Sequence, residues 1–174
     1  MRHDGDCIVT VVIRVAALLF LVAFAAPASL ASAQEAIYVV RHAERADQSA
    51  DSPLSTEGVG RSFRLRDALK EAGVTTIFTS DLRRTIETAA PLAAAIHLTT
   101  RQMPAAGTAA LAAAIAASGP RDRVLVVGHS NTVPALLAAL HVDAAVAIAD
   151  SDYDNLFIVV PQKEGRPVLL RLKY

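Results

Sequence analysis

Residues 37–47, IYVVRHAERAD, decide how the rest of the chain can fold. Four apolar residues lead directly into Arg41 and His42, and Arg45 follows three positions later. A continuous apolar run of this kind is typical of a strand that helices cover on both faces of a parallel sheet. Cations at the end of a buried strand are costly unless an anion balances their charge. The segment therefore predicts a buried strand that ends at an anion site.

Short apolar runs alternate with longer helical patterns through the rest of the chain. The predicted strands lie at residues 36–40, 76–80, 123–128, 156–160 and 168–172. The predicted helices lie at residues 55–73, 82–96, 108–119 and 131–140. This alternation predicts a three-layer α/β/α sandwich with a mostly parallel central sheet. The last two strands, joined by PQKEGRP, predict an antiparallel hairpin at one edge.

The first two helices carry the most specific local signals. In the first, Ser55 or Thr56 is a suitable N-cap and Gly73 a suitable C-terminal stop. In the second, Pro91 predicts a kink or a break. The residues of the first helix that are predicted to face the core are Phe63, Leu65 and Leu69.

Residues 1–33 have the pattern of a secretory signal peptide. A basic start precedes an apolar run at residues 15–26, and the small residues ASA at 31–33 offer a cleavage site. A retained anchor is the alternative, although a membrane span needs roughly 20 apolar residues. Cys7 precedes the apolar run, which argues against a lipid anchor. We therefore expect an exported protein, periplasmic or secreted, with no stable membrane association after cleavage and one domain over residues 34–174.

The overall charge excludes one class of partner. The chain has 17 basic and 17 acidic residues and a formal net charge of zero, without the basic excess of nucleic-acid-binding proteins. No cysteine follows residue 33, so the predicted domain uses neither disulfides nor thiol chemistry. Positive charge is local, and it collects at the strand ends.

Three predicted strands end in the same kinds of polar residue. These residues are Arg41, His42 and Arg45 after the first strand, Ser80, Arg83 and Arg84 after the second, and His129 after the third. Ligands of parallel sheets bind beyond the carboxyl ends of the strands, so we expect these side chains to converge. Guanidinium groups match phosphate oxygens bidentately, and the helix that opens after His129 adds N–H donors. The predicted anion is phosphate.

The segments VVRHAER, PLSTEG, FTSDLRRTIETA and VLVVGHSN resemble, in order and approximate spacing, the histidine phosphatase superfamily, the phosphoglycerate mutase-like group. The resemblance runs from Ala36 to about Leu140. It implies that His42 is a nucleophile that becomes phosphohistidine. It also implies phosphoryl binding by a set of cationic residues: Arg41, Arg45, Arg84 and His129.

The same resemblance selects Arg84 over Arg83, because the family's S-x-x-x-R-x-x-x-T pattern falls on Ser80, Arg84 and Thr88. Imidazole is a nucleophile near neutral pH only if one ring nitrogen is unprotonated. A backbone carbonyl could fix that tautomer by accepting from the other nitrogen. Arginines can position a phosphoryl group without a metal, and no carboxylate or thiolate lies at ligand spacing from the histidines. We therefore expect neither metal nor cofactor.

The chain departs from many family members in lacking an obvious general acid. Residues 97–111 contain no acidic side chain, and Ser130 rather than Asp follows His129. The remaining candidates are Glu44, Asp47, Asp150, Asp152 and Asp154, of which Glu44 and Asp152 are retained as proton donors. The alternative is that all of these are solvated turn residues.

A missing acid favours substrates with good leaving groups, such as phosphoramidates or activated esters. The small SixA-like phosphohistidine phosphatases resemble this chain in their short length, whereas an exported enzyme is expected to meet a phosphorylated small molecule or envelope glycan. The sequence thus predicts a metal-independent phosphatase. The alternative is a non-catalytic module of the same fold that binds phosphate or a phosphorylated ligand. Nothing in the sequence indicates an oligomeric state.

Overall fold

A computed structural model describes residues 34–174, so the predicted signal peptide at residues 1–33 lies outside the described residues. The elements in chain order are β1 (Ala36–Arg41), α1 (Thr56–Leu69), β2 (Thr76–Ser80), α2 (Arg83–Ala95), β3 (Thr100–Met103), α3 (Thr108–Ala116), β4 (Arg123–Gly128), α4 (Thr132–Ala139), β5 (Asn155–Val160) and β6 (Val168–Lys173). Among these described helices, none has the length and apolar character that crossing a membrane requires.

The strands pair in one sheet with the order β3-β2-β4-β1-β5-β6. Strands β3, β2, β4 and β1 are parallel, whereas β5 and β6 are antiparallel to their neighbours. The parallel register places Arg41 at the end of β1 beside Gly128 at the end of β4. The predicted mostly parallel sheet with an antiparallel edge is therefore confirmed. Three strand ends that carry the predicted site residues lie side by side, with β4 in the middle.

Helices cover both faces of this sheet, and neighbouring residues of its central strands are buried on opposite faces. One face packs against α3 and α4 through apolar residues that include Val39, Val126, Ile115 and Leu136. The other face packs against α1 and α2 through Val40, Val127, Leu65 and Leu92. Neighbouring valines of β1 thus contribute to different cores, as the period of two in a strand requires. The predicted three-layer arrangement is confirmed.

Helix α1 begins where the sequence predicts and buries Leu65 and Leu69 as predicted, but not Phe63. The Ser55 hydroxyl accepts a hydrogen bond from the backbone N–H of Gly58 at 3.1 Å, which caps the helix. The residues that face inward are Gly58, Ser62, Leu65 and Leu69. The prediction for Phe63 is wrong: its side chain is 44% exposed, because Ser62 occupies the inward position of that turn. The Phe63 ring lies 4.8 Å from the Arg66 guanidinium.

Two further differences concern the middle of the chain. Helix α2 continues through Pro91, so the predicted break does not occur at this described residue. The buried residues Thr88 and Leu92 hold the helix against the core on both sides of the proline. Strand β3 was not predicted, because its sequence TRQM lacks an apolar run and it pairs only with β2 at the sheet edge.

Candidate active site

A cavity of about 560 Å³ opens beyond the carboxyl ends of β1 and β4. Its cationic and imidazole side chains are Arg41, His42, Arg45, Arg84 and His129, all of the predicted phosphate-site residues. Arg83 does not line the cavity, since it is exposed and pairs with Glu87 at 3.0 Å. Residues that are distant in the chain therefore meet around one space.

His42 lies at the base of this cavity with only 4% of its surface exposed. Its Nδ1 atom lies 2.7 Å from the carbonyl oxygen of Ala43. A carbonyl can only accept, so the proton of the neutral ring sits on Nδ1 and Nε2 carries a free lone pair. Burial is the main reason that the pKa of His42 falls to about 3; positive charge at His129, Arg84 and Arg41 also lowers the pKa, and the hydrogen bond to the Ala43 carbonyl opposes the fall. The ring is therefore neutral at physiological pH.

The backbone around His42 is fixed by two neighbouring elements, β4 and α2. The His42 N–H donates to the Gly128 carbonyl at 2.9 Å, which ties it to β4. The Ala43 N–H donates to the Thr88 hydroxyl at 2.9 Å, and that hydroxyl donates to the Arg84 carbonyl at 2.7 Å. Ala43 is fully buried, which explains why a small residue follows the histidine. Strand and helix together hold the imidazole in one position.

Backbone carbonyls of the loop between α4 and β5 hold Arg41, a contact that the sequence does not predict. One terminal nitrogen donates to the carbonyls of Ala149, Asp150 and Asp152 at 2.8, 3.0 and 3.3 Å. The guanidinium carbon also lies 4.1 Å from the centroid of the Tyr153 ring. The Nε atom is buried and has no partner among the described residues. The loop thus orients a buried guanidinium whose hydrogen-bonding capacity is only partly used.

Arg84 and Arg45 add positive charge to the same space. The Arg84 Nη1 atom donates to the Ala50 carbonyl at 2.8 Å, while its buried Nε has no partner among the described residues. Burial lowers the pKa of Arg84; Arg45 and Arg41 lower it further, and Asp51 opposes them. Arg45 donates to the Gln48 side chain at 2.6 Å. This crowding of like charge is relieved when an anion enters the cavity.

His129 occupies the centre of the cavity wall, at the end of β4. Its ring centroid lies 5.3 Å from that of His42. Its Nε2 atom lies 3.0 Å from the Ser80 hydroxyl, and its buried Nδ1 has no partner among the described residues. The pKa of His129 is lowered to about 4, mainly by burial and also by Arg84 and Arg41, while Asp81 opposes the fall. Both histidines of the cavity are thus neutral near pH 7.

Neither retained candidate for the general acid lies in the cavity, which corrects the prediction. The Glu44 carboxylate pairs with Arg61, whose Nε donates to it at 2.8 Å. Burial alone raises the pKa of Glu44, but the hydrogen bonds from Arg61 outweigh it and the net pKa is lowered. The Asp152 carboxylate instead accepts from the Ala149 N–H at 3.3 Å. Asp150 is the acidic residue that lines the cavity within the described chain.

The remaining acidic candidates are also engaged elsewhere. Asp47 accepts from the Ser49 N–H at 2.8 Å, and Asp154 pairs with Lys173 at 2.5 Å. Among residues 34–174, no cluster of three or more His, Cys, Asp or Glu side chains is arranged to hold a metal ion. The cavity therefore combines two neutral imidazoles, three arginines and one exposed carboxylate.

Comparison with known proteins gives one family. Residues 37–107 match the model of the histidine phosphatase superfamily (branch 1). The probable phosphoglycerate mutase GpmB of Proteus mirabilis (strain HI4320) is 39% identical over 66 residues, which is 34% of this chain and 31% of that protein. The chain thus aligns with about a third of the length of this curated relative.

Solved structures share the fold at low sequence identity. The mycobacterial glucosyl-3-phosphoglycerate phosphatase complexed with inorganic phosphate superimposes with a TM-score of 0.64 at 17% identity, over 80% of this chain and 96% of that one. The protein histidine phosphatase SixA complexed with tungstate gives a TM-score of 0.61 at 19% identity, over 79% and 96%. At such identities the likeness establishes the fold.

Proposed function

We propose that this chain, whose residues 37–107 match the histidine phosphatase superfamily, is a metal-independent phosphatase that works through a phosphohistidine on His42. The observation that carries this proposal is the state of His42: a buried, neutral imidazole whose Nδ1 donates to the Ala43 carbonyl at 2.7 Å. That bond leaves Nε2 unprotonated, as a nucleophile requires. The three arginines around the same cavity supply the charge that a phosphoryl group needs.

In the proposed first step, the Nε2 lone pair of His42 attacks phosphorus. The N–P bond forms while the bond between phosphorus and the leaving atom breaks, and the leaving group takes that electron pair. Arg41, Arg45 and Arg84 hold the non-bridging oxygens and stabilise the charge that they carry. The Ala43 carbonyl accepts from Nδ1–H and so stabilises the positive ring of the phosphohistidine. Water then attacks phosphorus, the N–P bond breaks, and inorganic phosphate leaves.

The cavity is larger than a phosphate ion needs and leaves space for part of a leaving group. Its wall away from the arginines consists of small neutral side chains, among them Ala105, Thr108, Asn131 and Ala135. We propose that the substrate is a phosphorylated small molecule or an envelope glycan, or a phosphoramidate. The phosphoramidate is included because Asp150 is the one carboxylate that lines the cavity among residues 34–174, and a leaving group that needs little protonation is then favoured.

The test is hydrolysis of p-nitrophenyl phosphate by the purified protein in the presence of EDTA. The proposal expects turnover that EDTA does not affect and that His42→Ala abolishes. Glycerol phosphate, whose leaving group is poor, is measured beside it. If Asp150 donates a proton, Asp150→Asn slows glycerol phosphate more than the nitrophenyl ester. Turnover that survives in His42→Ala would exclude the covalent mechanism.

The absence of Glu44 and Asp152 from the cavity favours a second candidate, a module that binds phosphate without turning it over. Tight binding of inorganic phosphate without hydrolysis of either ester, and without phosphorylation of His42, would support this candidate. Loss of that binding in Arg41→Ala and Arg84→Ala variants would assign it to the same cavity.

We also propose export, on the pattern of residues 1–33. Cell fractionation followed by N-terminal sequencing tests this proposal. Export with cleavage after Ala33 gives a mature protein that begins at Gln34 in the extracytoplasmic fraction. A full-length protein in the membrane fraction indicates the retained anchor.

A further inference from the structure

A chain of hydroxyl groups lies behind His129. The Ser80 hydroxyl contacts the His129 Nε2 atom at 3.0 Å and the Thr85 hydroxyl at 2.8 Å. The Thr85 hydroxyl in turn lies 2.8 Å from the Leu82 carbonyl oxygen and 3.1 Å from the Ser80 carbonyl oxygen. Ser80 and Thr85 are 7% and 0% exposed, so water does not compete for these contacts.

The direction of each hydrogen bond follows from the acceptor at the end of the chain. A carbonyl oxygen can only accept, so the single Thr85 hydroxyl proton points to the carbonyls. The Ser80 hydroxyl must then donate to Thr85, because two oxygens at 2.8 Å repel each other without a proton between them. Ser80 has no second proton to give. The contact with His129 is therefore a bond from Nε2–H to the Ser80 oxygen.

The backbone supports the same assignment. The Leu82 N–H also donates to the Ser80 hydroxyl oxygen, at 3.3 Å. This hydroxyl oxygen therefore accepts from two donors, the Leu82 N–H and the His129 Nε2–H. With its one proton on Nε2, the neutral His129 ring carries a lone pair on Nδ1. That atom is buried and lacks a partner among the described residues, on a side chain that lines the cavity.

We propose that Ser80 and Thr85 are positioning residues that fix the Nε2–H tautomer of His129, so that the cavity takes up a phosphoryl group together with one proton. A lone pair on Nδ1 repels an anionic oxygen. The bond between them therefore needs a proton, carried either by His129 or by the phosphoryl group as its monoanion. This inference rests on the proposed function, since it assumes that the phosphoryl group meets His129.

The charged groups around His129 do not supply that proton in advance. Arg41 comes from β1, Arg84 from α2 and His42 from the loop after β1, while Asp81 follows β2. Burial disfavours the imidazolium most, the two arginines disfavour it further, and Asp81 favours it. The pKa of His129 is lowered to about 4, so the free cavity holds an unprotonated Nδ1 near pH 7.

The tautomer can be measured directly from the ¹⁵N chemical shifts of the His129 ring in long-range ¹H–¹⁵N spectra at pH 7. The expected result is a protonated Nε2 and an unprotonated Nδ1 in the free protein. Ser80→Ala removes the acceptor and should yield a mixture of both tautomers. Thr79→Val is the matched control: Thr79 is a buried neighbour in β2 whose hydroxyl has no partner among the described residues, so the tautomer should not change. A protonated Nδ1 in the free protein, or identical spectra for Ser80→Ala, overturns the proposal.

A second measurement follows the proton itself. Sulfate carries no proton near neutral pH, so it is titrated into the His42→Ala variant, where His129 is the histidine left in the cavity. Affinity should fall about tenfold per pH unit between pH 6 and 8, because one proton must bind with each sulfate. Adding Ser80→Ala should reduce this to less than about twofold per unit, since the neutral ring can then donate from Nδ1. Equal pH dependence in both proteins, or no sulfate binding at any pH, overturns the proposal.

These results separate the inference from the proposed function. The NMR spectra and the sulfate titration need no turnover, so they stand even if the protein hydrolyses no ester. An active phosphatase with a protonated Nδ1 on the free His129 would refute the inference alone.

Discussion

Replacing Gly58 with alanine tests whether helix α1 positions the loop after β1, which carries His42. A methyl group at Gly58 would overlap the Glu44 carbonyl oxygen and would lie 3.0 Å from the Glu44 nitrogen. These are backbone atoms, and Glu44 follows His42 by two positions, so relief requires the loop itself to move. The movement needed to restore ordinary contacts is on the order of 1 Å.

The matched control is Gly60→Ala on the same helix. The nearest atom to a methyl group there is the Arg64 Nη1 at 3.7 Å, an ordinary contact with a flexible side chain. Both substitutions gain about 1 kcal/mol of helix propensity, so this gain cancels in the comparison. Overpacking at Gly58 costs about 1 to 3 kcal/mol, and we expect Gly58→Ala to be less stable than Gly60→Ala by that amount.

Catalysis should be impaired as well as stability. Displacement of a reacting group by about 1 Å can cost about 100-fold in rate, whereas Gly60→Ala should retain full activity. Urea unfolding measures the difference in stability, and kcat/KM for p-nitrophenyl phosphate measures the activity. If the Gly58→Ala protein matches Gly60→Ala in both measurements, then α1 does not position the His42 loop as argued.

The remaining predictions concern the cavity. The pKa of His42 falls from 6.5 to about 3 in the folded protein, so between these two pH values His42 is protonated in the unfolded chain but not in the folded one. The free energy of unfolding therefore falls as the pH falls through that window. Urea unfolding at pH 6.5 and 4.5 should show wild type losing about 2 kcal/mol more stability over this interval than His42→Gln. Tyr153→Leu should weaken phosphate binding several-fold in calorimetry by removing the ring beside Arg41, while Tyr153→Phe keeps wild-type affinity. Thr88→Val leaves the buried Ala43 N–H unpaired and should lower the free energy of unfolding by about 1 to 3 kcal/mol, with Thr88→Ser much closer to wild type.

Local sequence patterns were sufficient for the central strands because burial on both faces leaves a continuous apolar run. Strand β4 has the predicted limits for this reason, and β1 extends one residue beyond its predicted end. Strand β3 has no such run, since its pairing with β2 stabilises it through the backbone rather than through buried side chains. Phe63 was misassigned because hydrophobicity alone does not reveal which residue of a turn faces the sheet. The small Ser62 fills that position.

The cavity residues were predictable because parallel strands bring their carboxyl ends together regardless of their distance in sequence. The partners of those residues were not. Arg41 is held by carbonyls more than a hundred positions away, and backbone acceptors leave no mark on the residue types. Glu44 follows the nucleophile His42 by two positions, yet its carboxylate pairs with Arg61, 17 positions further along. The sequence therefore predicted which strand ends meet, but it did not predict the direction of each side chain.

The central claim is that His42 carries the phosphoryl group covalently. Rapid-quench mass spectrometry of the intact protein, mixed with excess p-nitrophenyl phosphate and stopped at alkaline pH, measures this directly. We expect a mass increase of one phosphoryl group that is lost on acid treatment, maps to His42 and is absent from His42→Ala. Hydrolysis that proceeds at full rate with no phosphoryl group ever found on His42 would exclude the phosphohistidine mechanism.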